Sequence, residues 1–225
     1  LTINGDLTLA SDTDSQFQLG EVYTPGGALN DMVTVAGDLT LDGEVNVSLT
    51  DGGSFLPGVY RLFNYGGSLT NNVMTIGTLA PNDGELYNVQ TNIANQVNLV
   101  LDFVDPTNQL QFWDGDLNGS NHGDGSSGNG VVDGGFGYWT ALISGSSNNW
   151  TQSDGVGNAP WSQSAFAVFQ GESDDVLVSN EFGTVRTSGM QFTTDGYVVM
   201  ADPLNPDSQL NIVATITQGT SAVDN

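Results

Sequence analysis

The run of oxygen-bearing side chains whose spacing best suits chemistry starts at Asp114 and takes in Asp116, Asn118, Ser120 and Asp124, with Gly119 following the asparagine. Alternating carboxylates and an amide set oxygens on one side of a tight turn, and a glycine permits that turn. The opening therefore reads D-x-D-x-N-G, the start of an EF-hand-like calcium loop. The twelfth position, where such a loop needs a bidentate Glu, is Gly125; Asp124 stands one place early and Asp133 is farther on. No helical pattern flanks the run. Asp114, Asp116, Asn118, Ser120 and Asp124 form a candidate calcium site of weak extracellular type, with Kd ~10⁻⁴–10⁻³ M. The competing reading is a solvated glycine-rich loop. No cofactor is required, and calcium is the one that the pattern admits.

Other chemistry has little to work with. His122 is the only histidine and there is no cysteine. A Ser-His-Asp system must then use His122, which lies in a glycine-rich loop where a base is hard to hold in register. Zinc sites usually need several His or Cys ligands, so none is expected. Paired carboxylates remain, in the manner of polysaccharide hydrolases or lyases. The candidates are Glu172, Asp174 and Asp175, or Asp42 and Glu44, with Arg61 or Arg186 as the cation. Each acid sits beside a turn, where solvation is its ordinary role, and each arginine sits in a strand pattern, where pairing with a neighbouring acid is the ordinary role. No catalytic residue is assigned. Trp113, Trp139, Trp150 and Trp161 could serve as stacking platforms for sugars; packing in the interior is the alternative.

The charge balance excludes some partners. There are 26 acidic and 2 basic residues in 225, a net charge of −24, with no lysine. Nucleic acid and anionic membranes both need a basic footprint, so neither is expected as a partner. No apolar run approaches the ~20 residues of a membrane helix, so no membrane insertion is expected of this segment. Leu1 opens inside a strand pattern rather than a signal sequence, which reads as a processed form or a fragment of a longer protein.

The elements that must carry these residues are strands. Leu1 to Leu9 reads LTINGDLTL and Val33 to Leu41 reads VTVAGDLTL, identical at six of nine positions with an offset of 32. A period in this range marks stacked repeats, and apolar–polar alternation within each copy suits a strand with one buried face. Thirty glycines and many Asp-Gly and Asn-Gly pairs supply turns, and helix patterns are nearly absent. The reading is an all-β chain, a single β-solenoid over residues 1–225. Gly/Asp-rich loop insertions fall at about 114–137 and 144–163. At ~20–25 residues per coil it would hold about nine to eleven coils, in a rod on the order of 45 Å. Leu7, Leu9, Leu39, Leu41, Val45 and Val47 are the expected inward ladder.

The phrases LTINGDLTL, DMVTVAGDLTLDGEVNVSL and LPGVYRLFNYGG resemble the strand repeat of autotransporter passenger regions, the autotransporter-associated β-strand repeat family. LQFWDGD, NNWTQSDGVGNAPW, AFAVFQG and GMQFTTDGYVV fit the same family, so the resemblance runs through nearly the whole chain. It implies a right-handed parallel β-helix, exported and held outside the cell or at the bacterial surface. It also implies a large adhesin in which such a segment is a stalk or binding surface. The stretch after WDGD is longer and richer in Asn, Asp and Gly than the family pattern.

The leading expectation is thus a non-enzymatic structural or adhesive segment. Its partners would be a host or neighbouring-cell surface, a glycan, or copies of itself end to end. A self-assembling filament or coat subunit, calcium-dependent through screening of carboxylates, is the first alternative. A glycan-binding or glycan-cleaving β-helix is the second.

Overall fold

The computed structural model describes residues 1–22, 24–79, 86–103, 109–115, 128–141 and 148–213, and among them every regular element is a strand. The first three are β1 (Thr2–Ile3), β2 (Leu7–Thr8) and β3 (Asp14–Leu19). The same trio recurs as β4 (Val33–Val35), β5 (Leu39–Leu41) and β6 (Glu44–Leu49), and again as β7 (Gly58–Tyr65), β8 (Leu69–Asn71) and β9 (Thr75–Leu79). Each strand pairs in parallel with the strand three places later. Thr2 faces Thr34 and Leu7 faces Leu39, so the sequence repeat is the structural register. The next step is shorter: Val33 faces Phe63 and Leu39 faces Leu69.

The repeated phrase is a strand, a corner and a second strand, not one long strand. The corner falls at Gly5–Asp6 and Gly37–Asp38, between β1 and β2 and between β4 and β5. Turning there lets the chain serve three sheets in each layer, so three faces can close around one apolar interior. Leu39, Leu41, Val45, Val47, Leu62 and Phe63 fill it, all nearly inaccessible. Leu7 and Leu9 occupy the same inward positions in the first layer but are only half-buried, because no layer covers them.

A hairpin of β10 (Leu86–Gln90) and β11 (Gln96–Asp102) follows. β11 runs antiparallel to β7, ending the parallel run of this sheet after three layers. Its alternation divides two environments. Leu99 and Leu101 point into the first core, while Val100 faces the other way beside Val59.

The second half repeats the device: β12 (Leu110–Trp113), β13 (Gly137–Thr140), β14 (Trp150–Thr151), β15 (Phe166–Phe169), β16 (Asp175–Ser179), β17 (Val185–Thr187), β18 (Gly189–Phe192), β19 (Val198–Ala201) and β20 (Leu210–Ile212). Parallel ladders run β12-β15-β18, β13-β16-β19 and β17-β20, while β14 lies antiparallel on β12. The later steps are short: Phe166 faces Gly189, Asp175 faces Val198 and Val185 faces Leu210. Ladders among the described residues hold two or three parallel layers, and the first half steps by 30–32 residues (Val33 to Phe63, Thr2 to Thr34). The uniform 20–25-residue coil expected from sequence thus fits only the later steps.

Among the described residues no strand of the first half pairs with one of the second. The halves meet face to face instead. Val59 and Val100 pack with Leu110, Phe112, Phe166, Val168, Val132 and Ile93 in an apolar seam. Gln191 clamps one side: its Nε2 donates to Val22 O (2.7 Å) and Val59 O (2.9 Å), and its Oε1 accepts from Val59 N (2.9 Å). Elsewhere on the seam the Gln90 and Gln170 amides exchange hydrogen bonds (3.0 and 3.2 Å), and Asn98 Nδ2 donates to Gln90 Oε1 (2.9 Å). Buried amides are tolerable because they are paired with one another.

Candidate functional site

Of the predicted calcium loop, Asp114 lies within the described residues; Asp116, Asn118, Ser120 and Asp124 lie outside them, as does His122. Asp114 follows β12 and is fully buried. Its Oδ1 accepts from Asp133 N (2.8 Å) and its own N–H donates to Asn149 O (2.9 Å). It therefore ties the base of the loop to two other segments. Among the described residues no group of three or more His, Asp or Glu side chains is placed to hold a metal.

The acids considered for glycan cleavage are not assembled around an arginine. Asp42 Oδ1 accepts from Gly43 N and Glu44 Oε1 from Asn46 Nδ2, both local bonds. Glu172 and Asp174 are exposed at a turn, where Asp174 Oδ1 accepts from Asp175 N. Arg61 was expected to meet an acid of a neighbouring layer. Its hydrogen bonds instead go to amide oxygens, Nε to Asn98 Oδ1 (2.7 Å) and Nη1 to Asn64 Oδ1 (2.6 Å). Burial without a carboxylate pushes the guanidinium down to about 10. Arg186 is exposed, and its backbone O accepts from Trp161 Nε1.

The tryptophans overturn the stacking-platform reading. Trp113, Trp139, Trp150 and Trp161 are at most 2% exposed. They form one aromatic box with Phe169: Trp150 and Trp161 centroids lie 4.4 Å apart, Trp139 and Trp161 4.9 Å, Trp113 and Trp150 5.1 Å. Parallel layers stack inward side chains directly over one another, and large aromatics fill that column with edge-to-face contacts. The short strand β14, in a segment expected to be a polar insertion, brings Trp150 into it.

Sequence reasoning missed the seam, which has a concave surface. A cleft of about 370 Å³ lies where β10 meets the 150s turn, lined by Asn88, Gln90, Asn92, Ser153 and Asp154 among others. Asn88 Nδ2 donates to Ser153 Oγ (2.9 Å) and Gln90 Nε2 to Ser153 O (2.9 Å), fixing the two walls. Asp154 Oδ1 accepts from Val156 N (3.0 Å). This wall offers amides, hydroxyls and one exposed carboxylate, a set suited to hydrogen-bonding a polar ligand rather than to cleaving it. Polar residues of two segments distant in sequence form it, so no local motif announces it.

Among the described residues the fold is all-β and built largely on parallel ladders, and the sequence is similar to that of a known adhesin. The chain is 43% identical over 226 residues, 99% of its own length, to the adhesin BmaC autotransporter of Brucella suis biovar 1 (strain 1330). It spans only 6% of that protein's length. No family model and no solved structure matches it.

Proposed function

We propose that this chain is an exported, surface-exposed segment of an autotransporter adhesin, acting as a non-enzymatic β-solenoid scaffold with an adhesive flank. The observation that carries the reading is the similarity to an adhesin across nearly the whole chain. Strand pairing supports the solenoid: in the first half each of three strands per layer runs parallel to its counterpart one layer on, as a parallel β-helix requires. The partner is a host or neighbouring-cell surface, and the polar seam cleft is the place where a hydroxyl-rich group such as a glycan would be held.

Adhesion is tested by coating beads with the purified chain and counting attachment to cultured host cells. An unrelated protein of equal negative charge serves as the control. Attachment above the control, reduced by Asp154→Ala together with Asn88→Ala, is expected. Attachment equal to the control would leave a stalk without an adhesive role.

A further inference from the structure

Arg61 is one of two basic residues in a chain of net charge −24, and it is the half-buried one. A guanidinium carries five N–H groups. Nε donates to Asn98 Oδ1 (2.7 Å) and Nη1 to Asn64 Oδ1 (2.6 Å). Among the described residues no carboxylate pairs with Arg61, and burial alone shifts its ionisation. Its Nη2 makes no hydrogen bond to them, yet it is not among the polar atoms closed off from solvent. A half-buried cation without an anion is costly unless something supplies the missing charge. Such breaches of the local rules gather at functional sites.

Gln96 brings a second donor to the same place. Across β7 and β11, Asn64 faces Gln96 and Arg61 faces Asn98. Asn98 is fully buried and joins the two side chains. Its Oδ1 accepts from Arg61 Nε, and its Nδ2 donates to Gln96 Oε1 (3.1 Å) as well as to Gln90 Oε1. With Oε1 engaged in this way, Nε2 is the polar end that Gln96 has left. That nitrogen has no partner among the described residues and is likewise not closed off from solvent. Thr34 continues the row on β4, directly opposite Asn64. The margin of the seam thus presents two N–H donors, one of them cationic, oriented by a buried amide.

We propose that Arg61 Nη2 and Gln96 Nε2 form a subsite for one carboxylate, carried by an acidic sugar residue of a surface glycan. A planar carboxylate suits neighbouring N–H donors, and a bond to a charged guanidinium is the stronger kind. One guanidinium balances one negative charge, so a sugar acid fits better than a doubly charged phosphate. The charge of the whole chain points the same way. A net −24 repels polyanions such as sulfated glycans and acidic proteins. A single sugar acid meets that repulsion with one charge only. Asn64 and Thr34 stand beside the donors, with an amide and a hydroxyl for the sugar's own hydroxyls. The subsite is distinct from the seam cleft, because Asn98 and Gln90, which link Arg61 to the cleft wall, are buried. The inference goes beyond the adhesive reading and does not depend on the cleft.

The test is an NMR titration of the intact chain with glucuronate, read at the Gln96 side-chain amide and the Arg61 Nε–H. Glucose and acetate are separate arms. Glucuronate should shift both signals and saturate, glucose should shift neither, and acetate should bind at least about tenfold more weakly for want of the hydroxyl contacts. Acetate binding as tightly as glucuronate would leave a bare anion site and overturn the sugar assignment. A glucose response equal to that of glucuronate would overturn the carboxylate assignment. Gln96→Glu sets a carboxylate of the chain itself beside Arg61 and keeps the acceptor for Asn98. It should lower glucuronate affinity by at least about tenfold, with no fall in the unfolding midpoint. Arg61→Lys keeps the charge without the fork and should weaken binding in the same direction. Unchanged affinity in either folded variant would overturn the proposal. Asp154→Ala with Asn88→Ala should leave glucuronate affinity as it was; a loss there would assign the sugar acid to the cleft instead. Bead attachment is a separate readout. Beads that attach no better than the control sink the adhesive reading, and glucuronate that still saturates at Arg61 supports the subsite all the same.

Discussion

At the level of single residues, the aspartates divide by what their oxygens touch. Asp114 is buried and accepts a backbone N–H from Asp133. That bond belongs to the fold, whatever ions are present. Asp114→Ala should cost ~1–3 kcal/mol through the donor left unsatisfied, and denaturant titration should give the same loss with calcium and with chelator. A loss seen only in calcium would return Asp114 to the role of metal ligand. Asp102 behaves differently. Burial raises its carboxyl above the usual range, and this outweighs the N–H bonds from Leu110 and Phe103 that lower it. A raised folded-state value means that the protonated form is favoured on folding, so this contribution is present in acid and is lost as pH rises through the folded value. Asp102→Asn keeps an acceptor and removes the charge. It should raise stability slightly at neutral pH, by under ~1 kcal/mol because the group is partly exposed, and the gain should fade below pH ~4. Stability curves of both proteins across that range check the sign.

At the level of elements, the alternation of β7 and β11 gives each strand two duties, one core on either side. Arg61 and Asn98 lie on the seam-facing side of this sheet, near Gln90 and Gln96. Arg61→Ala would leave a buried amide oxygen of Asn98 without its donor, at a cost of ~1–3 kcal/mol. Arg61→Ala with Asn98→Leu should recover part of it, as equilibrium unfolding of the single and double variants would show; no recovery would mean that Arg61 acts elsewhere. How much of this was legible in the sequence follows from the range of the signals. The strands Glu44–Leu49, Gly58–Tyr65 and Leu110–Trp113 could be read to the residue, since alternation and flanking turns are local. The 32-residue repeat gave the register of the first ladder outright. The corner of the repeat was legible as a turn signal at Gly5–Asp6, but the bond that its aspartate makes to the next layer was not. Burial of Trp113 follows from its size, but the antiparallel β11, the short β14 and the gathering of all four tryptophans in one box depend on what packs against them, which local pattern does not carry. The seam cleft was invisible for the same reason.

At the level of the whole molecule, the question is whether two stacks that share no strand ladder behave as one. The seam argues that they do. Phe112 is about 1% exposed and sits among Leu110, Phe166 and Val168 opposite Val59 and Val100. Gln191 extends from the second half to bond three backbone groups of the first. All four tryptophans lie in the second half, so indole fluorescence follows that half while far-ultraviolet circular dichroism follows both. In the intact chain the two signals should therefore trace one coincident unfolding transition, the mark of a single cooperative unit. Phe112→Ala removes one of the two buried phenylalanines of the seam and should cost ~3–5 kcal/mol. Gln191→Ala leaves three backbone groups of the first half without partners. Either change weakens the coupling more than it weakens either ladder, so the fluorescence and dichroism curves should separate. Curves that stay superimposed in both variants would mean that cohesion between the halves does not depend on the seam. Separate curves already in the intact chain would mean that each stack of layers is stable by itself, and that the seam merely holds two independent units side by side.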